Sequence, residues 1–335
     1  MPDFVPLGRS GLKVSSLCLG TMNFGNENWG CDEPTSAKII DRFFEAGNNF
    51  IDTANVYAGG PSEEIVGRAI AARRDEIVLA TKGFNPQEGT GPNDRGNSRV
   101  NLTRSLEGSL RRLGTDFVDL YQVHSWDPTT PVEETMATLD DFVRSGKVRY
   151  IGCSNWQASQ IVEGQWAAAR NGGTPLVSLQ PQYSLIVRDI EIDVLPTAAR
   201  HGLGVIVWSP LGGGLLTGKH SKESSPSDSR FGKVASGDIW ELMRRALFTD
   251  RNFEIVAAVG VVADRLHTTH TGVAVAWTLA QSAVTSAIIG PRTVEQLEDN
   301  LTAGSLELDA DALKDLDRAS RGPLTYLGFL ARERG

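Results

Sequence analysis

The chain has 335 residues, a formal net charge of -8 and 40% hydrophobic residues, which suit either one large α/β barrel or two smaller domains. The acidic balance, with no block of lysine or arginine, argues against a general nucleic-acid or anionic-membrane surface. No apolar run approaches the roughly 18 residues that a membrane span needs.

The N-terminus and the cysteines indicate a cytoplasmic protein. Residues 1–4 lack the basic region and the apolar core of a signal peptide. Cys18, Cys31 and Cys153 are an odd number of cysteines at scattered spacing. This pattern argues against a disulfide framework or a zinc site and suits a reducing compartment.

The regular elements begin with residues 4–17, which predict a hairpin around Gly8-Arg9-Ser10-Gly11. A unit of a short apolar strand, a loop and an amphipathic helix then recurs. The eight predicted strands lie at residues 16–21, 49–52, 77–82, 117–124, 150–155, 177–182, 204–210 and 287–291. Most intervals are roughly 30 residues, which predicts a (β/α)8 TIM barrel in which a single domain spans residues 1–335.

The helical segments carry apolar side chains at a helical period. Ile39, Ile40 and Phe43 share one face before Gly47, a residue type that signals a helix C-terminus. Ser62 is the predicted N-cap of the next helix. A doubly wound sheet is the alternative architecture, but a nucleotide-binding sheet of that kind usually has a G-x-G-x-x-G turn, and none follows a strand here.

The interval between the seventh and eighth strands is far longer than the others and predicts a long loop insertion. Its segment Ser221–Asp228 is rich in Ser, Lys, Glu and Pro, and we expect a mobile loop over the barrel there. Helices are predicted to follow near residues 253–266 and 273–281. The tail Pro323–Gly335 follows a predicted helix near residues 312–317 and could fold back over the barrel mouth.

Three predicted strands end at ionisable side chains. Asp52 ends the second strand, with Tyr57 five residues later, Lys82 ends the third and His124 ends the fourth. Because the C-terminal ends of parallel strands share one face of a barrel, we expect these four residues to meet there. The alternative for the first two is a helix-capping carboxylate and a surface tyrosine.

These four side chains form a proton-donating set. A tyrosine with a pKa near its usual value of roughly 10 is a poor acid at neutral pH, but a nearby ammonium group lowers that pKa. Lys82 would supply the charge, Asp52 would hold Lys82, and His124 would hydrogen-bond a substrate oxygen. The set suits protonation of an oxygen while hydride reaches the adjacent carbon. In the alternative, Lys82 forms a Schiff base, although the neighbouring Asp52 would keep it protonated.

Three motifs resemble those of the aldo-keto reductase superfamily. They are FIDTANVY at residues 50–57, LGTDFVDLYQVH at residues 113–124 and GKVRYIGCSN at residues 146–155. The likeness covers almost the whole chain and is closest to the bacterial and potassium-channel β-subunit branches, which share residues 208–211 and the long loop. It implies a reductase of an aldehyde or ketone, with Tyr57 as general acid in a tetrad of Asp52, Tyr57, Lys82 and His124.

The same resemblance implies a nicotinamide cofactor. Ser154, Asn155 and Gln180 would hold its carboxamide, whose edge needs both donors and acceptors. Either Tyr183 or Trp208 would lie behind the nicotinamide ring, and the sequence does not decide between them. The other implied cofactor residues are Gly20, Thr21, Met22, Asp52, Ser209, Pro210, Leu211, Gly212, Gly214, Gly218, Lys219, Gly290, Gln296, Asp299 and Asn300, the last three near ribose and adenine.

Two further segments bear on phosphate binding. The glycine-rich stretch 213–220 is one residue short of a P-loop and has His220 in place of the metal-binding hydroxyl, so its glycines are expected to let the backbone approach phosphate oxygens. Thr293 and Gln296 form a capping-box pair beside Arg292, and a helix N-terminus next to an arginine is an anion site. Arg292 is our candidate for the 2′-phosphate, which favours NADPH over NADH. The alternative is an ordinary capped surface helix.

The remaining candidates lie in loops. Trp29, Trp126 and Tyr326 should border the barrel mouth and either contact substrate or pack the loops. His267 and His270 lack an accompanying glutamate and are expected to be exposed rather than zinc ligands. The alternative function is a cofactor-binding regulatory subunit resembling the channel β-subunits. The sequence names neither the carbonyl substrate nor the oligomeric state.

Overall fold

The structure, a computed structural model, describes residues 4–26, 28–86, 89–227, 229–233 and 239–322, together with Tyr326 and Phe329. Near the N-terminus, Phe4–Pro6 (β1) pairs antiparallel with Lys13–Ser15 (β2) in the expected hairpin. Leu7 and Val14 are fully buried against the apolar interior of the barrel. The hairpin therefore closes the end of the barrel at which the strands begin.

Eight parallel strands form a closed barrel, which confirms the predicted fold class. In chain order they are Leu17–Gly20 (β3), Phe50–Asp52 (β4), Val78–Gly83 (β5), Val118–Val123 (β6), Val148–Ser154 (β7), Ser178–Gln180 (β8), Gly204–Val207 (β9) and Val284–Ile289 (β10). Strands that follow one another in sequence are neighbours in the barrel, and β10 closes it against β3. The C-terminal ends of all eight strands thus lie at one end.

Helices connect and surround the strands. In chain order they are Glu33–Glu45 (α1), Pro61–Ile70 (α2), Arg99–Leu113 (α3), Val132–Arg144 (α4), Ala158–Arg170 (α5), Val194–His201 (α6), Ile239–Leu247 (α7), Asp250–Arg265 (α8), His270–Leu279 (α9), Val294–Ala303 (α10) and Ala310–Ser320 (α11). Gly60 is the N-cap of α2, so the prediction of Ser62 for that position is wrong. The buried Ser62 hydroxyl instead donates to the Thr21 carbonyl at 2.8 Å and ties α2 to the end of β3.

The insertion between β9 and β10 contains more regular structure than the sequence predicts. It begins with a glycine-rich 3₁₀ turn, Gly212–Thr217, and includes α7 before the two expected helices α8 and α9. The nine-residue helix α7 was not predicted, because its apolar pattern is short. In the expected loop Ser221–Asp228, residues 221–227 contain no helix or strand, and Asp228 lies outside the described residues. The tail Pro323–Gly335 also lies outside them except for Tyr326 and Phe329.

The barrel interior is apolar where the strands begin and polar where they end. Phe50, Val78, Leu120 and Ile206 belong to a buried cluster inside the barrel, and burial of such a side chain contributes about 1.5–3 kcal/mol. At the opposite end, Asp52 is the last residue of β4 and Lys82 is the second-last residue of β5. In the part of the chain that the structure describes, no helix is both long and apolar enough to cross a membrane.

Candidate active site

A cavity of about 820 Å³ lies at the C-terminal ends of the barrel strands. This volume falls within the range of small-molecule and cofactor sites. Its floor includes Asp52, Tyr57 and His124, and its far end includes Arg292 and Asn300. The cavity therefore joins the predicted proton-donating residues to the predicted anion site.

Asp52 and Lys82 form a buried ion pair beneath the floor. Lys82 Nζ donates to Asp52 Oδ1 at 2.5 Å and to the Thr53 carbonyl at 2.8 Å, and the Lys82 side chain is fully buried. Burial by itself lowers the pKa of Lys82, but the neighbouring Asp52 and Tyr57 outweigh burial and leave the pKa above its ordinary value. The ammonium group therefore stays charged at neutral pH.

Tyr57 lies between this ion pair and the cavity. The Lys82 ammonium is 5.1 Å from the centroid of the Tyr57 ring. Burial raises the pKa of the Tyr57 phenol, the charge of Lys82 opposes that rise, and the net pKa is higher than usual. The lowered pKa expected from the charge of Lys82 alone is therefore wrong, because burial has the larger effect. At neutral pH the phenol is protonated and can donate.

His124 faces Tyr57 across the floor of the cavity. The two rings meet edge to face with centroids 5.9 Å apart. Burial, reinforced by Lys82, lowers the pKa of His124 to about 3. The imidazole is therefore neutral at pH 7, and it can donate a hydrogen bond to an oxygen without transferring its proton.

Three polar side chains and an indole form one side of the cavity. Asn155 Nδ2 donates to Ser154 Oγ at 3.0 Å and to the His124 carbonyl at 3.0 Å. Trp208 Nε1 donates to Asn155 Oδ1 at 3.0 Å, and Gln180 Nε2 donates to Asp52 Oδ2 at 2.8 Å. The amides are thus held in fixed orientations beside the floor.

The two aromatic candidates for the position behind a nicotinamide ring lie in different places. Trp208 lines the cavity. Tyr183 does not line it: the residue is 1% exposed, its ring packs on Trp277 with centroids 5.4 Å apart, and its hydroxyl donates to Glu191 at 2.6 Å. Of the two rings, only that of Trp208 is open to a cavity ligand.

The insertion after β9 covers part of the cavity. Arg230, which belongs to this insertion, lines the cavity, and its guanidinium carbon lies 4.3 Å from the centroid of the Trp29 ring. Arg230 also donates to Asn23 Oδ1 at 3.2 Å. Burial, with a smaller effect from Arg292, lowers the pKa of Arg230 to about 10, so the group remains cationic at pH 7. Sequence reasoning missed Arg230 because only its neighbours in space distinguish it from other loop arginines.

The anion end of the cavity is built around the start of α10. Thr293 Oγ1 accepts from the backbone nitrogen of Gln296 at 3.2 Å, which is one of the two bonds of a capping box. The Gln296 side chain accepts from the backbone nitrogen of Arg292 at 2.9 Å rather than from that of the N-cap Thr293, so only the Thr293 half of the predicted capping box forms. The bond to Arg292 instead fixes the backbone of the arginine. Asp299 accepts from Thr269 at 2.6 Å.

The structure brings most of the predicted cofactor residues to this cavity. Those that line it are Gly20, Met22, Asp52, Ser154, Asn155, Gln180, Trp208, Ser209, Pro210, Leu211, Gly214, Lys219, Gly290, Arg292, Gln296, Asp299 and Asn300. Thr21, Gly212 and Gly218 do not line it. Gly212 and Gly218 have φ angles of 57° and 75° and shape the turn beside it.

The three aromatic residues predicted to border the barrel mouth lie in different environments. Trp29 lines the cavity. Trp126 packs edge to face on Trp156, with centroids 4.9 Å apart, and does not line the cavity. Tyr326 is 76% exposed. His270, expected to be exposed, is half-buried and lines the cavity, whereas His267 is exposed as predicted.

The donor set fits a dinucleotide. Amides and an indole stand at one end, a glycine-rich turn in the middle, and two guanidinium groups towards the other end. Asn300 Oδ1 is buried at this far end and has no hydrogen-bond partner among the described residues. A polar ligand that reached Asn300 would satisfy that atom. The described residues hold no group of metal-ligating side chains.

Comparisons with known proteins find similar sequences over almost the whole chain. A model of the Aldo/keto reductase family matches residues 16–321. The chain is 43% identical over 333 residues to the uncharacterized oxidoreductase YrpG of Bacillus subtilis, which covers 96% of this chain and 97% of that protein. It is 39% identical over 302 residues to a probable voltage-gated potassium channel subunit beta of Arabidopsis thaliana, covering 89% of each. It is also 38% identical to a norsolorinic acid reductase of Aspergillus flavus, covering 92% of this chain and 79% of that protein.

Proposed function

The chain belongs to the aldo/keto reductase family, and on that premise we propose that it reduces an aldehyde or ketone to an alcohol with NADPH, using Tyr57 as the general acid. Family membership makes the protein an oxidoreductase. The observation that carries the finer proposal is the meeting of Asp52, Tyr57, Lys82 and His124 at one end of a cavity whose other end is cationic.

The residues on the floor divide the proton chemistry between them. NADPH, when bound, would supply hydride to the carbonyl carbon. The Tyr57 phenol would give its proton to the carbonyl oxygen, so that the product is a neutral alcohol and Tyr57 is left as phenolate. Lys82, kept cationic by Asp52, would stabilise that phenolate. Neutral His124 would orient the carbonyl oxygen with a hydrogen bond.

The residues along the cavity would hold the cofactor. We assign the carboxamide to Ser154, Asn155 and Gln180, because their amide and hydroxyl groups lie beside the floor. We assign the face of the nicotinamide ring to Trp208 rather than Tyr183, because Tyr183 is buried away from the cavity.

The cationic residues would bind the phosphates. Arg230 is a nearly buried guanidinium at the cavity wall, and we propose that it contacts the pyrophosphate beside the Gly212–Thr217 turn. Arg292 begins the segment that leads into α10, and we propose that it binds the 2′-phosphate, which favours NADPH over NADH.

A regulatory role is the second candidate, because one relative is named as a probable potassium channel β-subunit. The presence of Asp52, Tyr57, Lys82 and His124 together favours the enzyme, since a protein that only senses cofactor has no need of a proton donor. We also propose a cytoplasmic location, because Cys18, Cys31 and Cys153 are free thiols.

The test follows NADPH oxidation at 340 nm with a panel of aldehydes and ketones. Tyr57→Phe should abolish turnover while cofactor binding, followed by protein fluorescence, stays within about twofold. Tyr150→Phe is the matched control, because Tyr150 is partly buried against the apolar cluster inside the barrel and does not line the cavity. Tight cofactor binding with no turnover of any carbonyl would favour the regulatory candidate. A borohydride-trapped adduct on Lys82 would favour Schiff-base chemistry instead.

A further inference from the structure

Gln122, on β6, contacts the Asp52 carboxylate from inside the barrel. Its Nε2 donates to Asp52 Oδ2 at 3.3 Å, and Gln180 Nε2 donates to the same oxygen at 2.8 Å. The two amides differ in access: Gln180 lines the cavity, whereas Gln122 does not and is 0% exposed. A ligand in the cavity can therefore draw Gln180 away from Asp52 but cannot reach Gln122.

The neighbouring strands leave room for this glutamine. Gly152 on β7 pairs with Gln122 on one side and with Ser178 on the other. A Cβ atom at residue 152 would lie 3.2 Å from Gln122 Cγ and 2.1 Å from Ser178 Oγ. Any side chain there would displace both residues, so the glycine keeps Gln122 in place beside Asp52.

Stability does not account for a glutamine at this position. Leu120 and Ala80 belong to the apolar cluster inside the barrel, and an apolar side chain at residue 122 would extend that cluster. Gln122 Oε1 and Ser178 Oγ are instead buried with no hydrogen-bond partner among the described residues. Burial of an unsatisfied polar atom costs about 1–3 kcal/mol. The hydrogen bond to Asp52 is therefore the feature that explains a glutamine at this position.

We propose that Gln122 is a positioning residue that holds Asp52 Oδ2 from within the barrel, so that Oδ1 stays on Lys82 when a cavity ligand engages Gln180. This inference rests on the proposed function, because it gives Gln122 a task in that reaction. The amide dipole also offsets part of the carboxylate charge. Asp52 is one of the groups that raise the pKa of Tyr57, so loss of the amide should raise that pKa further and weaken the acid.

The first test replaces Gln122 with methionine, which keeps the length of the side chain and removes the donor. The ionisation of Tyr57 is followed in the cofactor-free protein by absorbance at 295 nm within milliseconds of a pH jump, before unfolding. Each protein is also measured with the additional substitution Tyr57→Phe. Subtracting that absorbance curve leaves the ionisation of Tyr57 alone. We expect Gln122→Met to shift the midpoint upwards by about 0.5 pH units, to lower kcat about tenfold and to leave NADP+ affinity unchanged.

Ser178→Ala is the matched control. It removes the other unpartnered polar atom beside Gly152, and no hydrogen bond joins Ser178 to Asp52 among the described residues. We expect it to leave both the Tyr57 midpoint and kcat at wild-type values. Gln122→Glu is the second variant: it keeps the shape, replaces the donor with an acceptor and should shift the midpoint in the same direction.

The outcomes separate this inference from the reaction itself. An unshifted Tyr57 midpoint in both Gln122 variants overturns the positioning role, whatever their kcat. Equal effects of Ser178→Ala and Gln122→Met also overturn it, because they would indicate a general disturbance of the barrel. If the wild-type protein reduces no carbonyl but the midpoint still shifts, the proposed reaction fails and the action of Gln122 on Asp52 stands.

Discussion

Arg230 and Trp29 join two loops across the cavity. The guanidinium carbon lies 4.3 Å from the centroid of the indole ring, a distance at which a cation and an aromatic face attract each other. One residue lies in the insertion after β9 and the other in the loop after β3. The contact with Trp29 holds Arg230 at the wall of the cavity, although its sequence segment shows no helical or strand pattern.

Replacement of Arg230 by leucine should weaken cofactor binding. A hydrogen bond to a charged group contributes about 1.5–3 kcal/mol, so we expect the Kd for NADP+ to rise about 10- to 100-fold. Fluorescence titration measures the change. Arg245→Leu is the control, because Arg245 lies on α7 of the same insertion but is 74% exposed and pairs with Glu241. Equal Kd values for the two variants would contradict the role of Arg230.

Replacement of Arg292 by leucine should change the choice of cofactor. If the arginine binds the 2′-phosphate, the variant loses about 10- to 100-fold in affinity for NADPH. Binding of NADH, which lacks this phosphate, should change by less than about twofold. Parallel titrations with the two nucleotides measure the effect. An equal loss of affinity for NADPH and NADH would indicate that Arg292 binds a phosphate present in both nucleotides.

Replacement of Lys82 by methionine should destabilise the protein, because Asp52 would be left buried without its ion-pair partner. Loss of one member of a buried pair costs about 3–5 kcal/mol. The free energy of unfolding in urea measures this loss, and the double variant Lys82→Met/Asp52→Leu should recover part of it. Lys147→Met is the control at an exposed pair with Glu107, where the expected loss is about 0–1 kcal/mol. A similar loss at both lysines would contradict the prediction.

His124 should make stability depend on pH in the acid range. Its pKa falls from 6.5 to about 3 in the folded protein, so between those values the unfolded chain binds a proton that the folded chain does not. The stabilising effect is complete above pH 6.5 and is lost as the pH falls towards about 3. Over this window the wild type should lose more free energy of unfolding than His124→Gln.

His267→Gln, at an exposed histidine, provides the comparison for that measurement. It should lose stability in parallel with the wild type as the pH falls. The same neutral imidazole should also leave kcat without an inflection near pH 6.5. A clear inflection there in the wild type, absent in His124→Gln, would show that the imidazole titrates in the complex.

Much of the site could be predicted because it follows from strand order. Asp52, Lys82 and His124 each lie at or next to the C-terminal end of a strand, and a parallel barrel brings such ends to one face whatever the loops do. The apolar strands and the helical periods fixed that topology. Ser62 shows the limit of local patterns: it has the residue type of an N-cap, but the bond it makes to Thr21 is tertiary.

The residues that the sequence did not reveal depend on contacts between distant segments. Arg230 matters because of Trp29 and Asn23, about 200 residues away in the chain. The choice between Tyr183 and Trp208 depended on which ring the packing leaves open to the cavity. The pKa of Tyr57 depended on burial, which no local pattern reports.

By itself, then, the sequence determined the barrel and the face on which the ionisable residues meet. These features follow from periodicity and chain direction, which act locally. Only the tertiary structure decided which side chains reach the cavity, how burial balances charge at Tyr57, and that Gln122 supports Asp52 from within. Those properties are set by distances between strands and loops that are far apart in the chain, and short-range physical rules do not determine them.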